Sequence, residues 1–340
     1  MNKKKWIVVA FALILVVAAS LSTALKPQNQ PTMEEKLASE SFNQLFNKDA
    51  GFQEEVREPG NNQSRILVIP IKGAIAANST SYQQELILDT IEQIRQDETI
   101  KAVLLEIDTP GGAVYETREA YDLFKEVMAE RDIPVYASMG AVAASAGYYF
   151  ATLADKIYAT PETITGSIGV ITSGMNMQEL FEKIGIDQYV FKSGDLKDMG
   201  SNHREMTEEE KMVMQNYINE SFDRFVHVVM EGRGMSEEQV RELADGRIYT
   251  ASQAVKNGLI DDLKYYRQVI DLIREENNLE GAEIFEKISS KDKFASLFSP
   301  FMKSEPDYAE QFDQVINRIE EAQKVKVEYR WEGGFDHASK

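Results

Sequence analysis

The chain has 340 residues, 43% of them hydrophobic, which is enough for one large hydrophobic core with appendages or for two modest cores. Its formal net charge of −19 leaves no basic surface to neutralise phosphates, so nucleic acid is not expected as a partner. The absence of cysteine excludes disulfides, thiol nucleophiles and cysteine-based metal sites.

The N-terminus combines three lysines, at positions 3–5, with the uncharged apolar stretch 6–25. As a helix, about twenty residues span about 30 Å, which matches the hydrocarbon thickness of a bilayer and exceeds the apolar region of a cleaved signal. We therefore predict that residues 1–25 form a cytoplasmic N-terminus and a retained membrane anchor, with the rest of the chain extracytoplasmic. The alternative is cleavage after Ala24, because Ser22 and Ala24 are small residues at the appropriate spacing.

Residues 26–64 are rich in Gln, Asn, Glu and Pro. This composition predicts a linker that spaces the body of the protein from the bilayer, with one short helix around residues 33–45.

From Arg65 onward, short apolar runs alternate with amphipathic helical patterns. Strands are predicted at residues 65–71, 102–108, 135–138 and 156–159, and helices at residues 82–96, 115–129 and 143–153. Apolar strands that alternate with helices are typical of a parallel sheet covered on both faces. The sequence therefore predicts an α/β fold built from βαβ units.

A helical section follows and continues to about Asn277. Capping boxes are predicted at Thr207, Ser236 and Thr250, each with Glu or Gln three residues later. The first of these helices is long and carries an apolar stripe that requires a packing partner. The stripe consists of Met214, Tyr217, Ile218, Phe222, Phe225, Val229 and Met230. A short strand is predicted before this section, at residues 189–191.

Residues 278–340 are predicted to be a C-terminal extension. Apolar residues alternate with polar ones over residues 325–331, which indicates an extended segment. One interpretation is an edge strand or a mobile end. The other is a strand that lies along a substrate groove as a self-substrate or plug.

Two segments contain candidate catalytic residues. Ser145 lies among very small residues in AASAGYY, residues 143–149, and Lys197 lies in SGDLKDMGS, residues 193–201. A serine hydroxyl attacks a carbonyl only when a base removes its proton, and a lysine can serve once burial lowers its pKa from about 10.4. The structural alternatives are a helix N-cap for Ser145 and a solvated surface residue for Lys197.

Other residue types are weaker candidates for catalysis. The three histidines, His203, His227 and His337, lie in no signature of a Ser/His/Asp enzyme. The acidic cluster at residues 208–210 resembles a helix N-terminus and has no histidine pair at metal-ligand spacing.

A glycine loop, Thr109-Pro-Gly-Gly112, follows the predicted strand at residues 102–108. Glycines at the carboxyl end of a strand allow the backbone to approach a ligand closely and to direct N–H groups at it. On pattern alone, an ordinary strand-to-helix turn explains the loop equally well.

These segments resemble the signature blocks of SppA-type signal peptide peptidases, which are membrane-bound Ser/Lys relatives of the Clp protease and crotonase superfamily. The resemblance spans about residues 65–261 and includes GRIYTA, residues 246–251. It implies a Clp protease/crotonase-like core, predicted here as residues 65–277, and the single-copy form of the family. It also implies a ring-like homo-oligomer in which a neighbouring protomer can supply the base.

The resemblance assigns roles to five residues. Ser145 is implied to be the nucleophile and Lys197 the general base. The backbone N–H groups of Gly112 and Ala146 are implied to form the oxyanion hole. Ser167 is implied to orient the lysine amine, although a turn serine beside a glycine is an equally good interpretation of that position.

The predicted function is that of an extracytoplasmic, membrane-anchored serine endopeptidase that degrades remnant signal peptides and requires no cofactor. A broader role in clearing misfolded membrane-associated proteins or resisting antimicrobial peptides remains open. So do two other classes: a crotonase-like acyl-CoA enzyme and a membrane scaffold without turnover.

Overall fold

The computed structural model of the chain describes residues 51–289 and 328–330. The fold presented here is that of the unit Phe52–Lys340. The predicted membrane anchor at residues 6–25 lies outside the described residues. Among the residues that are described, no helix has the length and apolar character to cross a bilayer.

The first half of the unit alternates strands with helices, as predicted. Its elements are β1 Phe52–Glu58, β2 Asn61–Lys72, α1 Gln84–Gln96, β3 Ile100–Thr109, β4 Gly111–Ala113, α2 Val114–Arg131, β5 Val135–Ala144, α3 Ala146–Ala151, β6 Lys156–Ala159 and β7 Ile164–Gly166.

The second half is mostly helical and returns to the sheet at its end. Its elements are α4 Gln178–Ile184, a 3₁₀ turn Asp195–Asp198, α5 Glu208–Arg233, α6 Glu237–Leu243, β8 Ile248–Thr250, α7 Ala251–Lys256, β9 Asp262–Leu263, α8 Tyr266–Asn277, β10 Ala282–Ser289 and β11 Glu328–Arg330.

A mostly parallel sheet of nine strands organises the described part of the unit. Seven strands follow the order β1-β10-β2-β3-β5-β6-β9, β7 pairs with the end of β5, and β8 pairs with β7. All of these pairs are parallel except β1–β10 and β7–β8. The α/β class and the mostly parallel sheet predicted from the sequence are therefore confirmed.

Helices cover both faces of the sheet, which explains the near-continuous apolar strands. Along β2, Leu67 and Ile69 belong to the larger core, which contains residues of α1, α2, α3 and α5. The alternating residues Ile66 and Val68 belong to a second core, which contains residues of α8. Because neighbouring side chains of a strand face opposite sides, each run of apolar residues fills two cores.

The sheet extends beyond both predicted boundaries of the body. β1 and the start of β2 lie within residues 26–64, which were predicted to be a linker, and β10 lies after residue 277. Arg57 of β1 donates hydrogen bonds to Glu106 of β3 (2.8 Å) and to Glu286 of β10 (2.6 Å). These segments are therefore parts of the sheet and not appendages.

The three predicted capping boxes are confirmed. Thr207, Ser236 and Thr250 begin α5, α6 and α7, and each hydroxyl accepts a hydrogen bond from the backbone N–H three residues later. The helix α5 is buried mainly in its second half, where Phe225 and Val229 have no exposed surface, whereas Tyr217 is 47% exposed. The predicted apolar stripe thus finds a partner within the described chain over only part of its length.

Residues 171–220, which we call the exposed arm, contribute almost nothing to the core. Glu210 is the one buried residue in this range. The prediction of a strand at residues 189–191 was wrong: the backbone there forms no strand, and Phe191 is 97% exposed. The large exposed apolar residues of the arm are Ile171, Met175, Leu180, Ile184, Ile186, Tyr189, Val190, Phe191, Leu196, Met212, Val213 and Tyr217. Such a concentration is typical of an interaction surface.

Replacing Phe225 by alanine should lower the free energy of unfolding by about 3–5 kcal/mol, because it leaves a cavity beneath α5. Urea denaturation monitored by circular dichroism measures the loss. The control is Val56→Ala, on an edge strand where Val56 is 49% exposed; it should change stability by about 0.5 kcal/mol or less. Equal losses in the two variants would contradict the packing described for α5.

Candidate active site

The glycine loop and the Ser145 segment meet at the carboxyl ends of neighbouring strands. Thr109 at the end of β3 pairs with Ala143 near the end of β5. The hydroxyl of Thr109 accepts the backbone N–H of Gly111 at 3.0 Å. A Cβ atom at Gly147 of α3 would lie 2.8 Å from the Thr109 methyl group. The loop after β3 therefore packs directly against the helix that follows Ser145.

Ser145 occupies a strained backbone conformation between β5 and α3, with φ 56° and ψ −117°. Its N–H donates to the carbonyl of Gly166 at 2.7 Å. Among described non-glycine residues, positive φ occurs at Asp132, Ser145, Ser167 and Asn278. Asp132 and Asn278 are left-handed C-caps of helices, where such residues are well tolerated. The other two are the two predicted site serines, and strained residues concentrate at functional sites.

The hydroxyl of Ser145 is buried and unpaired within the described part of the chain. The residue is 1% exposed, and its Oγ atom has no hydrogen-bond partner there. Leaving a buried hydroxyl unpaired costs about 1–3 kcal/mol. Few buried polar groups in native proteins lack a partner, which marks this hydroxyl as a candidate for a functional site. The alternative of a satisfied N-cap does not hold, because the side chain makes no cap hydrogen bond.

Two tyrosines hold α3 in place. The hydroxyl of Tyr148 donates to the carbonyl of Leu259 at 2.8 Å. The ring of Tyr149 packs between Tyr121 and Phe225, with centroid distances of 4.9 Å and 5.0 Å. The block that follows Ser145 is therefore tied to α2, α5 and the segment after α7, which fixes the turn that carries the nucleophile candidate.

Ser167 lies beside this turn, because Gly166 at the end of β7 pairs with Ala144 at the end of β5. The N–H of Ser167 donates to the carbonyl of Arg247 at 2.8 Å. A Cβ atom at Gly166 would lie 2.5 Å from the ring of Tyr249. Sequence reasoning missed this supporting role of residues 246–251, and the resemblance of GRIYTA to a signature block was the one signal that could have indicated it.

Gly112 is buried within the loop, and only glycine fits there. Ile75 donates to the carbonyl of Gly111 (3.0 Å) and accepts from the N–H of Ala113 (2.8 Å). A Cβ atom at Gly112 would lie 2.0 Å from the Ile75 carbonyl oxygen. Because backbone groups alternate along a strand, the N–H and C=O of Gly112 face away from Ile75. Ala146, the other predicted oxyanion donor, is the first residue of α3, so its N–H has no acceptor within the helix.

Lys197 makes no hydrogen bond with the Ser145 hydroxyl within the described residues. It lies on the 3₁₀ turn of the exposed arm, and its side chain is exposed. Its Nζ atom forms no hydrogen bond or ion pair with the described residues. Lys192 behaves as the sequence indicated: it pairs with Asp198 at 2.8 Å on the surface of the arm. The described chain therefore contains a nucleophile candidate whose candidate base faces outward.

The described part of the tail lies against the glycine loop. Residues Glu328–Arg330 form β11, which pairs antiparallel with β4 so that Tyr329 lies opposite Gly112. This is the side to which the N–H and C=O of Gly112 point. The extended structure predicted for residues 325–331 is thus confirmed over these three residues, and its role as a self-substrate or plug stays a prediction.

Two family models match the chain. One, described as "Peptidase family S49", matches residues 128–280. The other, described as "NfeD1b, N-terminal domain", matches residues 65–185. Together they span residues 65–280, which include the Ser145 turn, the helical section and the sheet except β1, the start of β2 and β10.

Individual proteins are also similar. "Putative signal peptide peptidase SppA" of Enterococcus faecium is 39% identical over 303 residues, which cover 87% of this chain and 88% of that protein. "Protease 4" of Haemophilus influenzae is 32% identical over 215 residues, 62% of this chain and 34% of that protein. "Serine protease SPPA, chloroplastic" of Arabidopsis thaliana is 30% identical over 210 residues, 62% of this chain and 31% of that protein.

Replacing Gly112 by alanine should slow the covalent labelling of Ser145 by a phosphonate probe, which phosphonylates the hydroxyl, by about 100-fold or more. The added methyl group displaces the loop, and losing one oxyanion donor typically costs about 3–4 kcal/mol. Gel detection of the labelled protein measures the rate. The matched control is Gly51→Ala, where a Cβ atom meets nothing within 4 Å. Labelling of both variants at the wild-type rate would contradict the assignment of Gly112.

Deleting the residues after Gln323 should raise the rate of Ser145 labelling severalfold, because β11 no longer covers β4. Tyr329→Pro in the full chain should act in the same direction, since proline lacks the N–H needed for strand pairing. Labelling rates and the assembly state by size-exclusion chromatography are compared for the three proteins. An unchanged rate with unchanged assembly would rule out the plug.

Proposed function

Because this chain belongs to the SppA-type signal peptide peptidases of peptidase family S49, we propose that it is a membrane-anchored serine endopeptidase that degrades remnant signal peptides outside the cytoplasm. The proposed nucleophile is Ser145 and the proposed general base is Lys197. The observation that carries the proposal is the Ser145 hydroxyl, which is buried, lacks a partner in the described chain and stands on a strained turn beside the glycine loop.

In the proposed reaction, the neutral amine of Lys197 accepts the proton of Ser145 as Oγ attacks the scissile carbonyl carbon. The N–H groups of Gly112 and Ala146 donate to the resulting oxyanion. The tetrahedral intermediate then expels the amine half of the substrate, which takes the proton from Lys197. Water, activated by the same amine, hydrolyses the acyl-enzyme ester, and the hydroxyl of Ser167 orients the amine throughout.

A second copy of the chain completes this site. A lysine that stays in solvent remains protonated at neutral pH, and burial is what favours its neutral form. The exposed arm carries Lys197 together with apolar residues such as Tyr189, which is 83% exposed, and Phe191, which is 97% exposed. Burying these residues against a neighbour would remove apolar surface and the lysine from water together. We propose a head-to-tail contact of this kind, repeated into a closed ring.

The substrate binds as an extended strand in this proposal. The pairing of β11 with β4 supports it, because it demonstrates that the edge at Gly112 accepts an antiparallel strand. Remnant signal peptides are apolar and are released at the bilayer, where the proposed anchor in residues 6–25 would hold the enzyme. A small or apolar side chain of the substrate would enter the specificity pocket.

Mixed assemblies test the site directly. Ser145→Ala and Lys197→Ala should each abolish cleavage of an apolar peptide library. An equimolar mixture, dissociated and reassembled, should regain about a quarter of the wild-type activity, because a random ring pairs an intact serine with an intact neighbouring lysine at that frequency. Mass spectrometry of the peptide products measures the recovery.

The control is the same mixture combined without dissociation, which should stay inactive. Absence of recovery in reassembled mixtures would contradict a shared site. Full activity of Lys197→Ala alone would contradict the proposed base. Release of thiol from acyl-CoA analogues, without peptide cleavage, would favour the crotonase-like acyl-CoA enzyme.

A further inference from the structure

Arg204 is the centre of an ion-pair network directly beside Lys197. Its Nη2 and Nε atoms donate to the two carboxylate oxygens of Asp198, at 2.6 Å and 3.1 Å. Its Nη1 atom donates to Glu210 Oε2 at 2.9 Å. Asp198 is the residue that follows Lys197 on the 3₁₀ turn, so one guanidinium joins the lysine-bearing turn to the first turn of α5.

The network is anchored at a rigid point. Glu210 is 1% exposed and is the one buried residue of the exposed arm. Its carboxylate also accepts the N–H of Thr207 at 2.8 Å in the capping box of α5. The hydrogen bond from Arg204 is the main cause that lowers the pKa of Glu210 to about 2. Arg204 therefore holds the turn to a helix start whose own geometry is fixed.

The same network keeps the Asp198 carboxylate occupied. Lys192 donates to Asp198 Oδ1 and to the carbonyl of Asp195, each at 2.8 Å. Hydrogen bonds from Arg204 and then Lys192 lower the pKa of Asp198 strongly, so it stays ionised and paired. Two cations and two carboxylates balance in charge, and the Lys197 amine is left outside the network.

We propose that Arg204 is a positioning residue for Lys197: it fixes the turn that carries the amine and prevents the Asp198 carboxylate from pairing with that amine. The inference rests on the proposed function, in which Lys197 acts as a base. A carboxylate that is free beside a lysine favours the ammonium form, which cannot accept a proton. Arg204 thus protects the neutral state of the amine without touching the substrate.

The direction of the expected pH effect follows from the charges around the turn. The charged and titratable groups near it in sequence are Lys192, Asp195, Asp198, His203, Arg204, Glu205, Glu208, Glu209, Glu210 and Lys211. Of these, Arg204 is the cation that contacts both Asp198 and Glu210. Removing its charge makes this acidic cluster more negative, so the acidic limb of the activity profile should move to higher pH.

The experiment measures kcat/KM against pH for the assembled full-length protein with a fluorogenic apolar peptide. Arg204→Gln should shift the acidic limb upward by about one pH unit. Arg204→Lys, which keeps the charge, should leave the limb near its wild-type position. The double variant with Arg204→Gln and Asp198→Asn also lacks the carboxylate that Arg204 pairs with. Its acidic limb should therefore return toward the wild-type pH. A fall in activity at every pH, with no shift and no recovery in the double variant, would overturn the inference.

Arg241→Gln is the matched control. Arg241 also bridges two carboxylates, those of Asp223 and Glu237, but Asp223 lies about 20 Å further along α5 than Glu210. Arg241→Gln should leave the acidic limb at its wild-type pH. A shift equal to that of Arg204→Gln would overturn the inference. If the turnover of Arg204→Gln is too low to measure, the acidic limb can be obtained from the pH dependence of Ser145 labelling by the phosphonate probe.

Lys197→Ala distinguishes failure of the positioning role of Arg204 from failure of the proposed base. If it is inactive while Arg204→Gln leaves the limb unmoved, the positioning role fails and the proposed function stands. If Lys197→Ala keeps full activity, the proposed base fails and the role of Arg204 fails with it.

Discussion

The left-handed backbone of Ser145 is the constraint on which the rest of the site depends. A non-glycine residue in such a conformation costs about 1–3 kcal/mol, and it persists only where its surroundings leave no alternative. Here β5 ends against β7, the Gly166 carbonyl accepts the Ser145 N–H, and two buried tyrosines fix the start of α3. Sheet packing thereby holds the Ser145 backbone in a strained conformation, and the neighbouring glycine loop packs against the helix that follows it.

The candidate catalytic groups are divided between the body, which is well packed, and the exposed arm. The candidate nucleophile and both candidate oxyanion donors lie on a body whose strands are buried on both faces. The candidate base lies on the exposed arm, whose one buried residue is the carboxylate of Glu210. In the proposed assembly, a protomer that is alone has a serine without a base. Activity would therefore be conditional on the ring, which limits hydrolysis by monomers that have not yet assembled.

The features that could be predicted are those that depend on residues close together in the sequence. The capping hydroxyl of Thr207 and the apolar strand at residues 102–108 are each specified by their neighbours in sequence. The helix predicted at residues 143–153 begins only at Ala146, because residues 143–144 continue β5. β1 could not be predicted because it is a polar edge strand, and β10 because it pairs with residues far away in the chain. Residues 189–191 have the apolar composition of a strand, but in the structure they are exposed on the arm and form no strand. The positive φ of Ser145 could not be predicted, because the residue that usually indicates positive φ is glycine.

The insertion of β10 between β1 and β2 sets the order in which the molecule can form. The Arg57–Glu286 ion pair joins residues 229 positions apart, so the central sheet cannot close until nearly the whole body has been synthesised. Until then, β2 presents an unpaired edge, and contacts of such long range form slowly. A chain interrupted before β10 would lack this closure. Closure of the sheet is thus a late event that waits for the synthesis of residues 282–289.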